Sequence, residues 1–281
     1  MSNTQVRVIV GLIGIPIIIA AAILGNYYFL AFSVIISFFC MNEFYNLFEK
    51  PVNKTTWFGA WLGGLSVHKA VFLLISSLIV VCFYYEHFNF VLILYFVMFI
   101  YLIIDEVIKS VRHFESIATW MLSVVYISTP FGLLSLMGSE KLIQSYHVNY
   151  AIICLILVWV SDTFSFFGGK LFGKHKLAEQ ISPKKTWEGS FTGFTFTMIA
   201  SVIIYFYSSP AHSLLHYILI GVTTGIFAQI GDLFESYLKR SVQVKDSSNI
   251  IPGHGGVLDR FDSILFVAPA VYIFIYLKSI F

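Results

Sequence analysis

Long apolar runs constrain the fold of this chain more than any other feature of its sequence. A helix that crosses a bilayer needs about 20 mainly apolar residues, with about 17 as the lower limit. Such runs recur along the whole chain, at residues 8–24, 27–44, 57–83, 88–104, 117–137, 150–167, 191–207, 214–230 and 264–277. The sequence therefore predicts an all-α, polytopic integral membrane protein with about nine transmembrane helices.

The composition agrees with this class. Of the 281 residues, 58% are hydrophobic and 11% are charged, whereas an ordinary globular domain has about 25% charged residues. Cys40, Cys82 and Cys154 are scattered through apolar runs without a Cys/His cluster. We interpret them as small buried side chains, which implies neither zinc nor a disulfide framework.

The distribution of Lys and Arg predicts the topology. If the N-terminus lies inside, the outer segments carry only Lys141 and Lys278, while the inner segments carry nearly all the other basic residues. This asymmetry is typical of a cytoplasmic N-terminus. The two charge-rich loops, 168–190 and 231–262, are then expected to face the cytoplasm. The first run exceeds the roughly 7–15 residues of a signal-peptide core, so we interpret it as a retained span.

The second, third and last apolar runs have polar residues or a short length that affect where their helices begin or end. The third run is interrupted by His68 and Lys69, and we interpret it as a bent helix or as a half-helix followed by a span from about Ala70. The last run is short, so its helix is expected to begin before Ile264. At the end of the second run, Glu43 is interpreted as an interfacial cap, although it lies close to apolar sequence.

The most informative polar stretch is residues 236–262, SYLKRSVQVKDSSNIIPGHGGVLDRFD. Charge at or near bilayer depth costs roughly 2.5–3.5 kcal/mol per residue on insertion scales, so it calls for pairing, a metal or a charged ligand. The Asp residues are hard oxygen ligands suited to Mg²⁺, and the Lys and Arg residues can neutralise phosphate. The glycines at 253–256 allow close backbone approach. Together these features favour metal-assisted phosphoryl or nucleotidyl transfer.

A second polar stretch covers residues 161–190. Asp162 sits near the end of an apolar run, where an acid is costly unless it is used or paired. Ser182 followed by Pro183 predicts a helix start. Lys184 and Lys185 at a helix N-terminus would suit an anion such as a triphosphate.

Helical spacing relates the acids of the later spans. Asp232, Glu235 and Lys239 share one face of a helix, and so do Asp259 and Asp262. Two carboxylate pairs at the ends of consecutive spans could meet around one metal site. The alternative for Glu235 is a surface ion pair with Lys239.

At these residues the chain resembles the phosphatidate cytidylyltransferase (CDP-diacylglycerol synthase) family. The matching pattern comprises Ser236, Lys239-Arg240, Lys245-Asp246, His254-Gly255-Gly256 and Asp259-Arg260-Phe261-Asp262. The run SPKKTWEG at 182–189 and the pair Ser161-Asp162 also look like this family. The resemblance by motif covers roughly residues 161–262.

The resemblance implies a reaction of CTP with phosphatidate that gives CDP-diacylglycerol and pyrophosphate and requires Mg²⁺. Under it, the expected metal ligands are Asp232, Asp246, Asp259 and Asp262. The expected catalytic residues are Asp246, Asp259, Asp262, Lys239, Arg240 and Lys245. The expected substrate-binding residues are Ser182, Lys184, Lys185, Thr186, Glu188, Ser236, His254, Gly255, Gly256 and Arg260.

The two halves of the chain are expected to have different roles. Residues 1–149 are expected to form a scaffold of transmembrane helices that carries any dimer or lipid-groove contacts, and residues 150–281 the catalytic region. The partners are the two substrates and the lipid bilayer, with no nucleic acid, in the inner (plasma) membrane with the site facing the cytoplasm. A homodimer and a second ion such as K⁺ stay open.

Two other readings compete. One is a CTP-using transferase or kinase for another lipid, such as a polyprenol or an archaeal ether lipid. The other is a transporter, which should place broken spans and charges near the midplane of two related halves. The charges here crowd at one face of the later half without a matching half, which argues against a transporter.

Overall fold

The computed structural model describes residues 3–48, 67–108, 114–208, 212–251, 253 and 255–280, and these are almost entirely helical. The helices are α1 Asn3–Leu24, α2 Asn26–Phe48, α3 Val67–Tyr84, α4 Phe88–Ile108, α5 Phe114–Ser123, α6 Thr129–Met137, α7 Glu140–Tyr146, α8 Tyr150–Phe172, α9 Trp187–Tyr207, α10 Leu214–Ser241 and α11 Leu258–Ile280. A π-helix, Val124–Ser128, joins α5 to α6. The strands β1, Lys176–Ala178, and β2, Ser182–Thr186, pair antiparallel.

Helix length and hydropathy confirm the predicted fold class. Seven helical stretches of the described residues are long and apolar enough to span a membrane: Asn26–Phe48, Phe88–Ile108, Glu115–Met137, Tyr150–Phe172, Trp187–Tyr207, Leu214–Ser241 and Leu258–Leu277. Two shorter apolar stretches, Gly11–Leu24 and His68–Tyr84, lie within the first and third predicted spans. The total of nine spans and the cytoplasmic N-terminus stay predictions.

Some helix ends agree with the sequence predictions and others differ from them. The last helix begins at Leu258, so Asp259 and Asp262 do lie in its first turns. The first part of the third predicted span, 57–66, lies outside the described residues. The interpretation of Glu43 as an interfacial cap is wrong, because α2 continues to Phe48 and the Glu43 side chain is fully buried.

The predicted helix start at Ser182-Pro183 is also wrong. Residues Ser182–Thr186 pair with β1 as a strand, and the helix begins at Trp187. Its N-cap is Thr186, whose hydroxyl accepts a hydrogen bond from the Gly189 amide at 3.3 Å. A Thr N-cap satisfies one of the helix's unpaired amides, so the helix starts four residues later than the Pro suggests. Lys184 and Lys185 therefore lie on a strand.

The chain packs as two units. The first comprises Met1–Ser139 together with Ser247–Leu258, and the second comprises Glu140–Asp246 together with Asp259–Phe281. The short segment Ser247–Leu258 thus belongs with the early helices, although it comes late in the sequence. The division of roles predicted for the two halves stays a prediction.

Within the first unit, α2, α3 and the π-helix enclose a chain of buried hydroxyls. The Ser37 and Ser76 Oγ atoms lie 3.2 Å apart, and those of Ser76 and Ser128 lie 2.8 Å apart. Because hydroxyls buried among apolar side chains need partners, these pairs fix the facing positions of the three helices. The surrounding core includes Phe29 and Phe131.

Within the second unit, small residues let the helices approach closely. A Cβ at Gly189 of α9 would lie 2.7 Å from the Ser165 carbonyl oxygen of α8, and one at Gly193 would lie 2.8 Å from that of Ser161. On α10, a Cβ at Gly231 would lie 2.7 Å from the Asp262 carbonyl oxygen. Glycines at helix crossings permit such contacts in membranes. The acids next to these crossings are thereby brought together.

Candidate active site

The β-hairpin and the end of α10 meet through charged side chains. The Lys185 Nζ lies 2.6 Å from the Asp232 carboxylate. Arg240 donates from Nε to the Ile181 carbonyl at 3.3 Å and from a terminal nitrogen to the Val244 carbonyl at 2.7 Å. The hairpin of the second polar stretch and the last turns of α10 therefore lie together in the second unit.

A buried ion triad links α10 to α11. The Lys239 ammonium forms an ion pair with Glu235 one turn earlier, and it donates to Asp259 of α11 at 2.6 Å. Glu235 is 1% exposed. The predicted pairing of Glu235 with Lys239 is present, but it is buried rather than on the surface. In this arrangement Lys239 orders the two carboxylates; its predicted contact with phosphate stays a prediction.

Further carboxylates surround this triad. Asp162, Asp232 and Glu235 lie close enough to act electrostatically on Asp262. The Ser263 hydroxyl donates to Asp162 at 3.4 Å. The Glu235 Oε1 is buried and receives no hydrogen bond from the described residues. Like charges held together in this way, with an oxygen left unsatisfied, favour a bound cation.

The donor set fits a hard divalent cation, since Mg²⁺ takes carboxylate oxygens and usually keeps several waters or phosphate oxygens. The described part of the chain does not contain three His, Cys, Asp or Glu side chains already grouped as a metal site. A cation with few protein ligands and several phosphate oxygens agrees with both observations.

The other predicted site residues are placed as follows. Lys184, Lys245, Asp246 and Arg260 are exposed, and Ser182 and Ser236 are half-buried. Gly255 forms a bridge with Ile251 in the first unit and has a positive φ of 82°, which favours glycine. His254 lies outside the described residues.

Glu188 has a different environment from the one expected of a substrate ligand. It accepts hydrogen bonds from the Lys174 amide at 3.0 Å and from the His175 side chain at 2.6 Å. Glu188 therefore holds the turn that leads into the β-hairpin. Its effect on substrate is expected to act through Lys184 and Lys185, which that hairpin carries.

Sequence reasoning left three side chains out of the site. Asp162 stood out as an acid at the end of an apolar run and Glu235 as the helical neighbour of Asp232, but neither was among the predicted site residues. Gln229 of α10 accepts a hydrogen bond from Ser190 at 3.2 Å and donates to Ser165 at 2.7 Å. An amide inside the run 214–230 was the available signal for Gln229, since polar groups in spans usually face a partner.

These features define a class: polytopic helical membrane proteins that hold a lysine-bearing hairpin against carboxylates of the helices, a combination suited to polyanionic substrates. The chain belongs to the cytidylyltransferase family, whose family model matches residues 5–278.

Three bacterial proteins named phosphatidate cytidylyltransferase are similar to this chain. The one from Bacillus subtilis (strain 168) is 36% identical over 172 residues, which cover 61% of this chain and 63% of the relative. That from Rickettsia bellii (strain RML369-C) is 40% identical over 166 residues, covering 56% and 69%. That from Staphylococcus haemolyticus (strain JCSC1435) is 38% identical over 165 residues, covering 59% and 61%. The matched part thus spans between 61% and 69% of the length of these relatives.

Proposed function

We propose that this protein transfers the cytidylyl group of CTP to phosphatidate, giving CDP-diacylglycerol and pyrophosphate. The observation that carries the proposal is the ion pair of 2.6 Å between Lys185 of the β-hairpin and Asp232 of α10. It places a cationic segment beside the carboxylates of α10 and α11 within one unit. The names of the similar proteins support the choice of CTP and phosphatidate as substrates.

The reaction needs no nucleophilic side chain. A phosphate monoester is largely ionised near neutral pH, so an oxygen of the lipid phosphate can attack the α-phosphorus of CTP directly. That P–O bond forms while the bond from the α-phosphorus to the oxygen that bridges it to the β-phosphorus breaks, and pyrophosphate leaves with the electron pair. The main barrier is repulsion between two polyanions. Lysine and arginine side chains lower it by neutralising phosphate charge.

The roles of the basic residues follow from their positions. Lys184 and Lys245 are exposed and are therefore accessible to the triphosphate of CTP. Lys185 is 19% exposed and already paired with Asp232, so we expect it to exchange that partner for a phosphate oxygen when CTP binds. Arg260, near the start of α11, is expected to bind the lipid phosphate.

We also propose that the acids of this site bind Mg²⁺. Asp232, Asp246, Asp259 and Asp262 are its candidate ligands, and the unsatisfied oxygen of Glu235 is a further candidate. Only one or two of these carboxylates would bind the ion at a time, with phosphate oxygens and waters completing its shell. When bound, the ion neutralises phosphate charge and stabilises the charge that develops in the transition state. A second, monovalent ion such as K⁺ is a further element of the proposal.

The cellular setting is also proposed. The chain is a multi-pass membrane protein, and the bias of Lys and Arg toward one side supports a site that faces the cytoplasm, where a soluble nucleotide is available. We place it in the inner (plasma) membrane, with the bilayer as source of its lipid substrate and with no nucleic-acid partner. A homodimer is the proposed assembly.

The test uses the purified full chain with phosphatidate, Mg²⁺ and CTP labelled at either the α- or the γ-phosphate. Cytidylyl transfer puts the α-label in a liponucleotide and releases the γ-label in pyrophosphate, and a chelator should stop both. A lipid kinase would put the γ-label in the lipid. Transfer to a polyprenyl phosphate but not to phosphatidate would contradict the proposed substrate.

A further inference from the structure

The first unit contains a buried carboxylate that is not among the acids assigned above. Glu43 of α2 is fully buried. Its Oε1 accepts from the Ser248 hydroxyl at 2.7 Å and from the Val257 amide at 2.8 Å. Its Oε2 accepts from the Ser247 hydroxyl at 2.9 Å and from the Leu258 amide at 2.8 Å. Each oxygen thus receives one hydroxyl and one amide donor.

All four donors belong to the segment Ser247–Leu258, more than 200 residues away in the chain. Two of them are backbone amides at the start of α11, where a negative charge is favourable. Gly256 completes the fit, because a Cβ there would overlap both Ser247 and the Glu43 carboxylate. Both ends of the segment therefore pack around this one side chain.

The segment is joined directly to the candidate metal ligands. It follows Asp246 by one peptide bond and precedes Asp259 by another. The backbone positions of these two acids therefore depend on the conformation of the segment between them. A side chain that fixes this segment also fixes the separation of its two ends.

We propose that Glu43 is a positioning residue that anchors the segment Ser247–Leu258 and thereby sets the placement of Asp246 and Asp259 for cation binding. Its catalytic part rests on the function proposed above. Glu43 itself binds neither substrate nor metal. Its four hydrogen bonds satisfy both of its oxygens, so it acts on Asp246 and Asp259 through the segment that joins them. Outer partners of metal ligands typically change metal affinity or activity about 10–100-fold when they are lost.

Glu43→Gln is a nearly isosteric test of this role. The amide has one acceptor oxygen, so its NH₂ group would face one hydroxyl and one backbone amide. A hydroxyl can rotate and accept, but a backbone N–H cannot. One amide at the start of α11 would lose its acceptor, and the segment would open more easily.

The experiment has two readouts on the full chain in lipid nanodiscs. Hydrogen exchange of peptides covering 247–258 should be on the order of tenfold faster in Glu43→Gln, because exchange reports local opening. The Mg²⁺ concentration for half-maximal transfer should rise about 10–100-fold. Excess Mg²⁺ should restore part of the rate, which a loss of folded protein would not show.

The matched control is Glu115→Gln, the same change at an exposed carboxylate of the first unit, which should alter neither readout. Ser248→Ala removes one of the four donors to Glu43 and also the acceptor of the Ile250 amide. At the Val257 and Leu258 amides it should give smaller shifts in the same direction, which keeps the test decisive if Glu43→Gln yields little folded protein. Unchanged exchange in 247–258 would overturn the anchoring. Faster exchange with an unchanged Mg²⁺ requirement would overturn the positioning role. If the wild-type protein transfers no cytidylyl group, the proposed function fails, while the exchange comparison still decides the anchoring.

Discussion

Two buried glutamates, one in each unit, have opposite surroundings. Glu43 is 0% exposed and Glu235 is 1% exposed. Both oxygens of Glu43 are filled by hydroxyl and amide donors of the chain. Glu235 shares Lys239 with Asp259, lies near Asp262, and keeps an oxygen without a donor among the described residues.

We expect this difference in hydrogen bonding to distinguish a structural carboxylate from one that binds a ligand better than burial does. A carboxylate saturated by the chain has little capacity left for a cation, and removing it leaves donors unsatisfied. A carboxylate beside other acids with a free oxygen is costly on its own and becomes favourable when a cation is bound. The comparison predicts that substitutions of the acids in the second unit mainly lower the turnover rate. Substitutions of Glu43 should also lower the free energy of unfolding.

The largest effect is expected at Asp262. Asp262→Asn should lower the rate of CDP-diacylglycerol formation on the order of 10³-fold, because it removes a negative charge from the proposed cation site. The measurement is the initial rate of the purified variant with saturating CTP and Mg²⁺. Glu140→Gln, at an exposed acid of the same unit, is the control and should keep the wild-type rate. Near-normal turnover in Asp262→Asn would remove this residue from the site, and the same test applies to Asp259→Asn.

The next largest effect is expected at the β-hairpin. Lys185→Gln should lower kcat/KM for CTP about 10²-fold, since it removes a donor for phosphate oxygens and leaves Asp232 without its cation. Lys170→Gln changes an exposed lysine at the end of α8 and should leave kcat/KM within about twofold. Equal losses in both variants would mean that the general positive charge of this face, and not the hairpin geometry, governs nucleotide binding.

The parts of this site that the sequence could predict are those that depend on local periodicity. Asp232, Glu235 and Lys239 share a face because a helix repeats every 3.6 residues, and the structure does pair Glu235 with Lys239. The start of α11 ahead of Ile264 follows from the minimum length of a span. Both predictions needed only nearby residues.

The parts that the sequence could not predict depend on distant contacts or on competing local signals. The four donors to Glu43 lie more than 200 residues away, so no local pattern identifies them. At Ser182-Pro183 a helix-start signal lost to strand pairing with residues 176–178 and to the Thr186 N-cap. The donors of Glu188, the Lys174 amide and the His175 side chain, become visible only once the hairpin is formed, while its binding of substrate stays a prediction.

A stability measurement tests the comparison of the two glutamates directly. Glu43→Gln should lower the free energy of unfolding by about 1–3 kcal/mol, because a buried amide donor loses its acceptor. Glu235→Gln should change it by less than about 1 kcal/mol, since Lys239 keeps Asp259 at 2.6 Å and Asp262 loses a like-charged neighbour. Thermal unfolding of both variants in the same detergent, without Mg²⁺, measures the difference. Equal destabilisation of the two variants would show that the number of hydrogen bonds accepted by each carboxylate does not distinguish Glu43 from Glu235.

The smallest effect is expected at Glu188, a third glutamate that is saturated by the chain but 25% exposed in its side chain. Interactions between exposed charged groups contribute about 0–1 kcal/mol. Glu188→Gln should therefore raise KM for CTP by no more than about fivefold, with kcat nearly unchanged. Steady-state kinetics at varied CTP separates the two constants. A loss of kcat as large as the loss of kcat/KM expected for Lys185→Gln would mean that Glu188 contacts the reacting groups. A carboxylate could then take part in the reaction even though its oxygens accept hydrogen bonds from the chain when no substrate is bound.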